Sequence, residues 1–160
     1  MNYYNRRPVQ HIDGTLVFQN EQDRESERDV AKKLEIAWQC SVHSFGALSP
    51  IDWYAVRDGR TTALLELKAR THPADKYPTV FLNVRKWLAL SLGACGMGVP
   101  AIFVVKFTDQ IRWTPLASVD ARDHRIAGCA TLVKSVNDIE PVIEVPVSQM
   151  TELREQESAA

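Results

Sequence analysis

Asp52, Glu66 and Lys68 are the side chains of this chain whose types and spacing allow concerted chemistry. They lie in two β-like runs, Ile51-Asp52-Trp53-Tyr54-Ala55-Val56 and Ala63-Leu64-Leu65-Glu66-Leu67-Lys68, with Asp58-Gly59 between them as a turn signal. A hairpin over this stretch brings Asp52 near Glu66 and Lys68. Residues two apart on a strand share a face, so Glu66 and Lys68 point together while Leu65 and Leu67 point away. Two carboxylates and an ammonium on one face of an apolar sheet cost desolvation and like-charge repulsion. That cost falls when a cation bridges the carboxylates and an anion meets the lysine. A divalent metal and a phosphate satisfy both conditions.

Phosphodiester cleavage needs this combination. Mg²⁺ (or Mn²⁺) held by one or two carboxylates keeps coordination positions for water and phosphate, and Asp52 and Glu66 suit that task. Lys68 beside the metal would orient or activate the attacking water and stabilise charge on the phosphate oxygens. Glu27 falls on the apolar stripe of a helix, where a carboxylate needs a reason, and it offers a further ligand or a group that orients a bound water. Lys86 and Arg85, with Arg70 and Lys76, are the candidate contacts to a nucleic-acid backbone.

The elements that must position these groups follow from periodicity. The spacing predicts a helix over about Gln22 to Cys40, with Val30, Leu34, Ala37 and Trp38 facing inward. Strands are expected at about Ser41 to Leu48, Ile51 to Arg57 and Thr62 to Arg70. A loop with two prolines over Thr71 to Thr79 then leads into a second helix from about Val80 to Cys95. Ala101 to Phe107 is the most apolar strand, Thr108-Asp109-Gln110 turns into Ile111-Arg112-Trp113, and β-like runs follow at Thr131 to Val136 and Pro141 to Val147. Residues 1 to about 20 read as an irregular or weakly β arm. The expected domain is 1–150, with 151–160 a short polar tail. The order describes an α/β fold with a mixed sheet: a meander first, then a crossover helix that returns a strand alongside it.

Composition narrows the class. With 160 residues, 45% hydrophobic and 24% charged, the chain has the make-up of an ordinary soluble globular protein. The formal net charge of -1 averages opposite biases, because Arg57 to Lys86 holds seven Lys/Arg against three Asp/Glu, whereas Asp138 to Glu157 holds six acids against one Arg. An anion would therefore bind the middle of the chain. Cys40, Cys95 and Cys129 are far apart and lack zinc spacing, and no apolar run follows Met1 to Arg7, so a reduced, cytoplasmic setting without a secretory signal is expected. Trp87 to Val105 carries no charge over nineteen residues, but its glycines and Pro100 make a helix followed by a buried strand the better reading than a membrane span.

The Asp52 … Glu66-Leu67-Lys68 pattern resembles the core of the PD-(D/E)xK nuclease superfamily, with Pro50-Ile51-Asp52 standing close to its first element. The likeness runs from about Glu27 to Phe107. It implies a restriction-endonuclease-like αβββαβ core, with a mixed central sheet flanked by helices and extra strands at the C-terminal end. It also implies Asp52 and Glu66 as ligands of a divalent metal, Lys68 as the group assisting the water, and Glu27 as the acid that often completes the site. Ile51 separates the proline from the aspartate, a departure from the family pattern. Compact members include junction-resolving and phage or mobile-element nucleases, so the resemblance implies DNA as partner, allows branched or junction DNA as its form, and is compatible with a homodimer.

Simpler readings exist for each residue. Glu66 and Lys68 could form a plain surface ion pair worth at most about 1 kcal/mol, Asp52 a strand-start residue, Glu27 a first-turn acid favouring the helix dipole, and Arg85 and Lys86 a solvated helix face. Trp53, Trp87 and Trp113 read as core. The alternative function is a catalytically inactive nucleic-acid-binding or protein-interaction module on the same fold.

Overall fold

A two-residue turn sets the central hairpin. Asp58 and Gly59 both have positive φ, at 51° and 72°, the combination a type I′ turn needs, and they join strand β4 (Trp53–Arg57) to β5 (Arg60–Ala69) with Arg57 opposite Arg60. A bulge between Ala55 and Val56 absorbs one residue, after which Ala55 pairs with Ala63, Tyr54 with Leu64 and Trp53 with Leu65.

The computed structural model describes residues 7–10, 16–19, 21–46, 49–122, 124–128 and 139–154. Around the hairpin its elements are β1 (Arg7–Gln10), β2 (Leu16–Gln19), α1 (Glu21–Trp38) and β3 (Ser41–Ser44), followed after β5 by β6 (Thr79–Asn83), α2 (Val84–Met97), β7 (Ala101–Lys106) and β8 (Ile111–Pro115). Then come β9 (His124–Gly128), β10 (Ile139–Pro146) and β11 (Thr151–Glu152). The main sheet has six strands in the order β11-β8-β7-β5-β4-β3; β6, β10 and β9 form a second sheet, and β1 pairs with β2. β5 and β7 are parallel, as a crossover helix between them requires, and the other pairings are antiparallel.

The period-two pattern of β5 places the two cores. Leu65 joins Trp53, Ala55, Ala63, Val104 and Ile111 beneath Val30 and Leu34 of α1. Leu64 joins Phe103 and Val105 beneath Leu90 of α2, and this core continues into Val80, Leu82, Ile143 and Val145 of the second sheet. Glu66 and Lys68 therefore belong to the α2 face. Trp53 is buried, Trp87 packs on the α2-side core and Trp113 on the α1-side core, so the tryptophans are structural. α2 lies very close to the sheet, because a Cβ added to Gly93 would stand 2.9 Å from Ile51 Cδ1 and from Leu64 Cδ1.

The structure departs from the sequence expectations in several places. Val80 to Asn83 is a strand and not the first turn of a helix: Val80 and Leu82 are buried between half-buried neighbours, and the segment pairs with β10 from Asn83 opposite Val142 to Val80 opposite Val145. The strand expected from Ser41 to Leu48 is described only as Ser41–Ser44, and Gly46 has φ of 94°. Thr151 and Glu152, expected in a polar tail, pair with Trp113 and Arg112 at the sheet edge. The run Thr131 to Val136 and residues 155–160 lie outside the described residues. Among those described, no helix is long and apolar enough to cross a membrane. Trp87 to Val105 is divided between α2 and β7, with Gly98 (φ 65°) ending the helix.

Candidate active site

One step beyond the Trp53–Leu65 pair, Asp52 meets Glu66 across the hairpin, and Lys86 from the first turn of α2 lies between their carboxylates. Lys86 Nζ donates to Asp52 Oδ1 at 2.6 Å and stands 3.0 Å from Glu66 Oε2. The second contact is off the direction a hydrogen bond needs, so Oε2 is buried without an aligned donor. Asp52 Oδ2 accepts the backbone N–H of Leu67 at 3.1 Å, which ties the aspartate to the strand that carries Glu66 and Lys68.

Burial sets the electrostatics. Glu66 is only 5% exposed. Desolvation, then the neighbouring Asp52 charge, push its carboxyl up to about 8, against the pull of Lys86. Burial works against the charge of Lys86, but Glu66 and Asp52 outweigh it and hold the ammonium above its ordinary range. Lys68 moves the other way, because burial, and next the Arg70 guanidinium, lower its pKa.

A second group surrounds Lys68. Its Nζ donates to Asn83 Oδ1 at 3.3 Å, and Asn83 Nδ2 donates to Glu140 Oε1 of β10. Glu140 Oε2 accepts Arg85 Nε at 3.0 Å. Asn83 stands at the N-cap of α2, yet its side chain makes no capping bond. Its two polar atoms go to Lys68 and Glu140 instead.

A family model described as "phage putative PDDEXK endonuclease" matches residues 16–153. The chain belongs to this endonuclease family. Among solved structures, the Holliday junction resolvase Hjc of the archaeal hyperthermophile Archaeoglobus fulgidus is similar in fold, with a TM-score of 0.58 and 15% identity over 83% of this chain and 93% of that one. No curated protein matches the chain. The fold is therefore the restriction-endonuclease-like fold of the PD-(D/E)xK superfamily, with an αβββαβ core extended by the second sheet.

The family's pattern residues can be followed one by one. Asp52 and Glu66 are brought onto one cation, with Lys68 beside Glu66 on the same strand face. Glu27 is half-buried on α1, the helix that packs on the opposite side of the sheet. Among the described residues no three His, Cys, Asp or Glu form a group able to hold a metal, so Glu27 does not close a third corner around Asp52 and Glu66. Of the residues expected to meet a nucleic-acid backbone, Lys86 sits on the carboxylates and Arg85 is 64% exposed while paired to Glu140. Arg70 is half-buried at the end of β5, and Lys76 is exposed with its ammonium 5.3 Å from the Tyr77 ring centroid.

Asn83 and Glu140 were not foreseen. Asn83 was hidden inside the helix expected from Val80, and Glu140 is 57 residues further along the chain. The one local signal was Glu140-Pro141, a charge at the head of an apolar β run.

The donor set fits a small, hard divalent cation: two carboxylates already converged on one positive group, one of them with a buried oxygen lacking an aligned donor.

Proposed function

We propose that the protein is a Mg²⁺- or Mn²⁺-dependent endonuclease that hydrolyses phosphodiester bonds in DNA, branched DNA included. The observation that carries the reading is the convergence of Asp52 Oδ1 and Glu66 Oε2 on a single cationic group, with Lys68 on the same strand face. Asp52 and Glu66 would hold a divalent cation there, which would supply Lewis acidity toward the scissile phosphate and acidify a bound water. Leu67 N–H, bonded to Oδ2, fixes the angle at which Asp52 presents Oδ1. Lys68, its proton loosened by burial and by Arg70, orients the attacking water and takes or shares its proton. Asn83 keeps Lys68 on that face, and Glu140 holds Asn83. Arg70, Lys76 and, once released from its carboxylate, Arg85 contact the backbone phosphates on either side.

The test is a gel assay on labelled linear, flapped and four-way DNA, with Mg²⁺ and with EDTA. Metal-dependent cleavage by wild type that Asp52→Asn loses is the expected result. Absence of cleavage across all substrates, with DNA binding retained, would replace this reading by the inactive binding module.

A further inference from the structure

We infer that Lys86 is a tethered counter-ion which a divalent metal displaces from the carboxylates, and which then turns to the substrate's phosphate. The inference rests on the metal-dependent reading above.

The geometry makes the two cations mutually exclusive. Lys86 Nζ is 2.6 Å from Asp52 Oδ1 and 3.0 Å from Glu66 Oε2. A divalent ion binds carboxylate oxygens at about 2.0–2.6 Å, so an ion gripping both atoms takes the space the ammonium fills. Of the three side chains, only the lysine is free to leave. Asp52 is pinned through Oδ2 by Leu67 N–H, and Glu66 is buried in the sheet face. Lys86 rides on a flexible four-carbon stem, and its side chain is 31% exposed, which leaves a path outward.

The exchange has a use in each state. With the ammonium in place, the carboxyl groups of Asp52 and Glu66 are held close to each other, so the ligand pair is preorganised before the ion arrives. The ammonium is then engaged by the carboxyl groups and is not offered to a phosphodiester. A divalent ion in its place balances the charge of the carboxylate pair and leaves a free ammonium beside it, one net positive charge. The site then attracts the group it must bind only after metal has entered, and Lys86 is the part that changes partner.

Calorimetric titration with Mn²⁺, without DNA, tests the exchange on wild type, Lys86→Met and Lys86→Arg. Removing the competitor tightens Mn²⁺ binding in Lys86→Met about tenfold, the equivalent of one charge-assisted hydrogen bond no longer lost. Lys86→Arg, whose planar fork grips two carboxylates more firmly, weakens it by about the same factor. Fluorescence anisotropy on a labelled four-way junction with Ca²⁺ or EDTA gives the second half: the gain in affinity on adding Ca²⁺ is larger in wild type than in Lys86→Met. Wild type that binds Mn²⁺ while Lys86→Met binds it no tighter overturns the inference alone. Should Lys86→Met not fold, an unchanged Mn²⁺ affinity in Lys86→Arg overturns it equally. Wild type that binds no Mn²⁺ removes the metal-dependent reading, and this inference with it.

Discussion

The backbone N–H of Leu67 donates to Asp52 Oδ2 across 3.1 Å. The middle residue of the Glu66-Leu67-Lys68 triplet thus fixes the first carboxylate of the site, while the residues on either side of it share the α2 face of the sheet. One short stretch of β5 sets the relative position of all three groups.

This contact makes Asp52→Asn a clean probe. The amide oxygen can still accept the Leu67 N–H, so the fold should persist with its melting temperature in EDTA near that of wild type. The Mn²⁺-induced thermal shift should vanish, and cleavage should fall at least roughly 10²-fold, since a metal ligand is worth several kcal/mol in the transition state. A retained shift would place the metal elsewhere.

Asn83→Ala removes the acceptor that favours the charged form of Lys68. A further drop in the Lys68 pKa is expected, moving the acid limb of the pH–rate profile to lower pH, together with a loss of about 10–100-fold in kcat, typical of groups that orient a site. A lower kcat with an unmoved profile would mean that Asn83 acts only on the fold.

Glu66 gives a pH signature in EDTA. Its folded-state pKa is about 8 against an ordinary 4.5, so the folded protein keeps a proton that the unfolded chain releases. The resulting stabilisation is complete below about 4.5 and is lost as pH rises through about 8. Wild type should therefore lose melting temperature relative to Glu66→Gln between pH 5 and pH 9. Mn²⁺, which takes the deprotonated carboxylate, should reverse the loss. Parallel curves for the two proteins in EDTA would contradict the burial argument.

Gly93→Val tests how tightly α2 is seated. Its Cβ would meet Ile51 and Leu64 at 2.9 Å, and overpacking of this kind costs about 1–3 kcal/mol. Because the same helix carries Lys86, the variant should also lose cleavage beyond its loss of stability, measured well below its melting temperature.

The hairpin and its charges were legible because the signals are local: an Asp-Gly turn, apolar alternation on both arms, and a glutamate and lysine two apart. Leu65 and Leu67 do face the α1-side core, opposite Glu66 and Lys68. The α1 stripe is legible for the same reason, since Val30 and Leu34 at helical spacing are both fully buried. What escaped depended on distant partners. The apolar run Val80-Phe81-Leu82 fits a helix or a strand equally well, and only the pairing of β6 with β10 decides for the strand. Once that boundary moves, Asn83 becomes a helix-cap residue available to Lys68, and Lys86 falls in the first turn, within reach of the carboxylates. Thr151 and Glu152 look like tail residues until the open edge of β8 offers them a partner.

Glu140 lies 57 residues after Asn83, in a strand that belongs to the second sheet. A chain leaving the ribosome presents Asp52, Glu66 and Lys68 long before the far end of the Asn83 bracket has been synthesised. Only the Glu140 end of this bracket waits for the last strands, so a truncated product would carry the full signature of the hairpin with Lys68 on an Asn83 that no carboxylate of β10 holds.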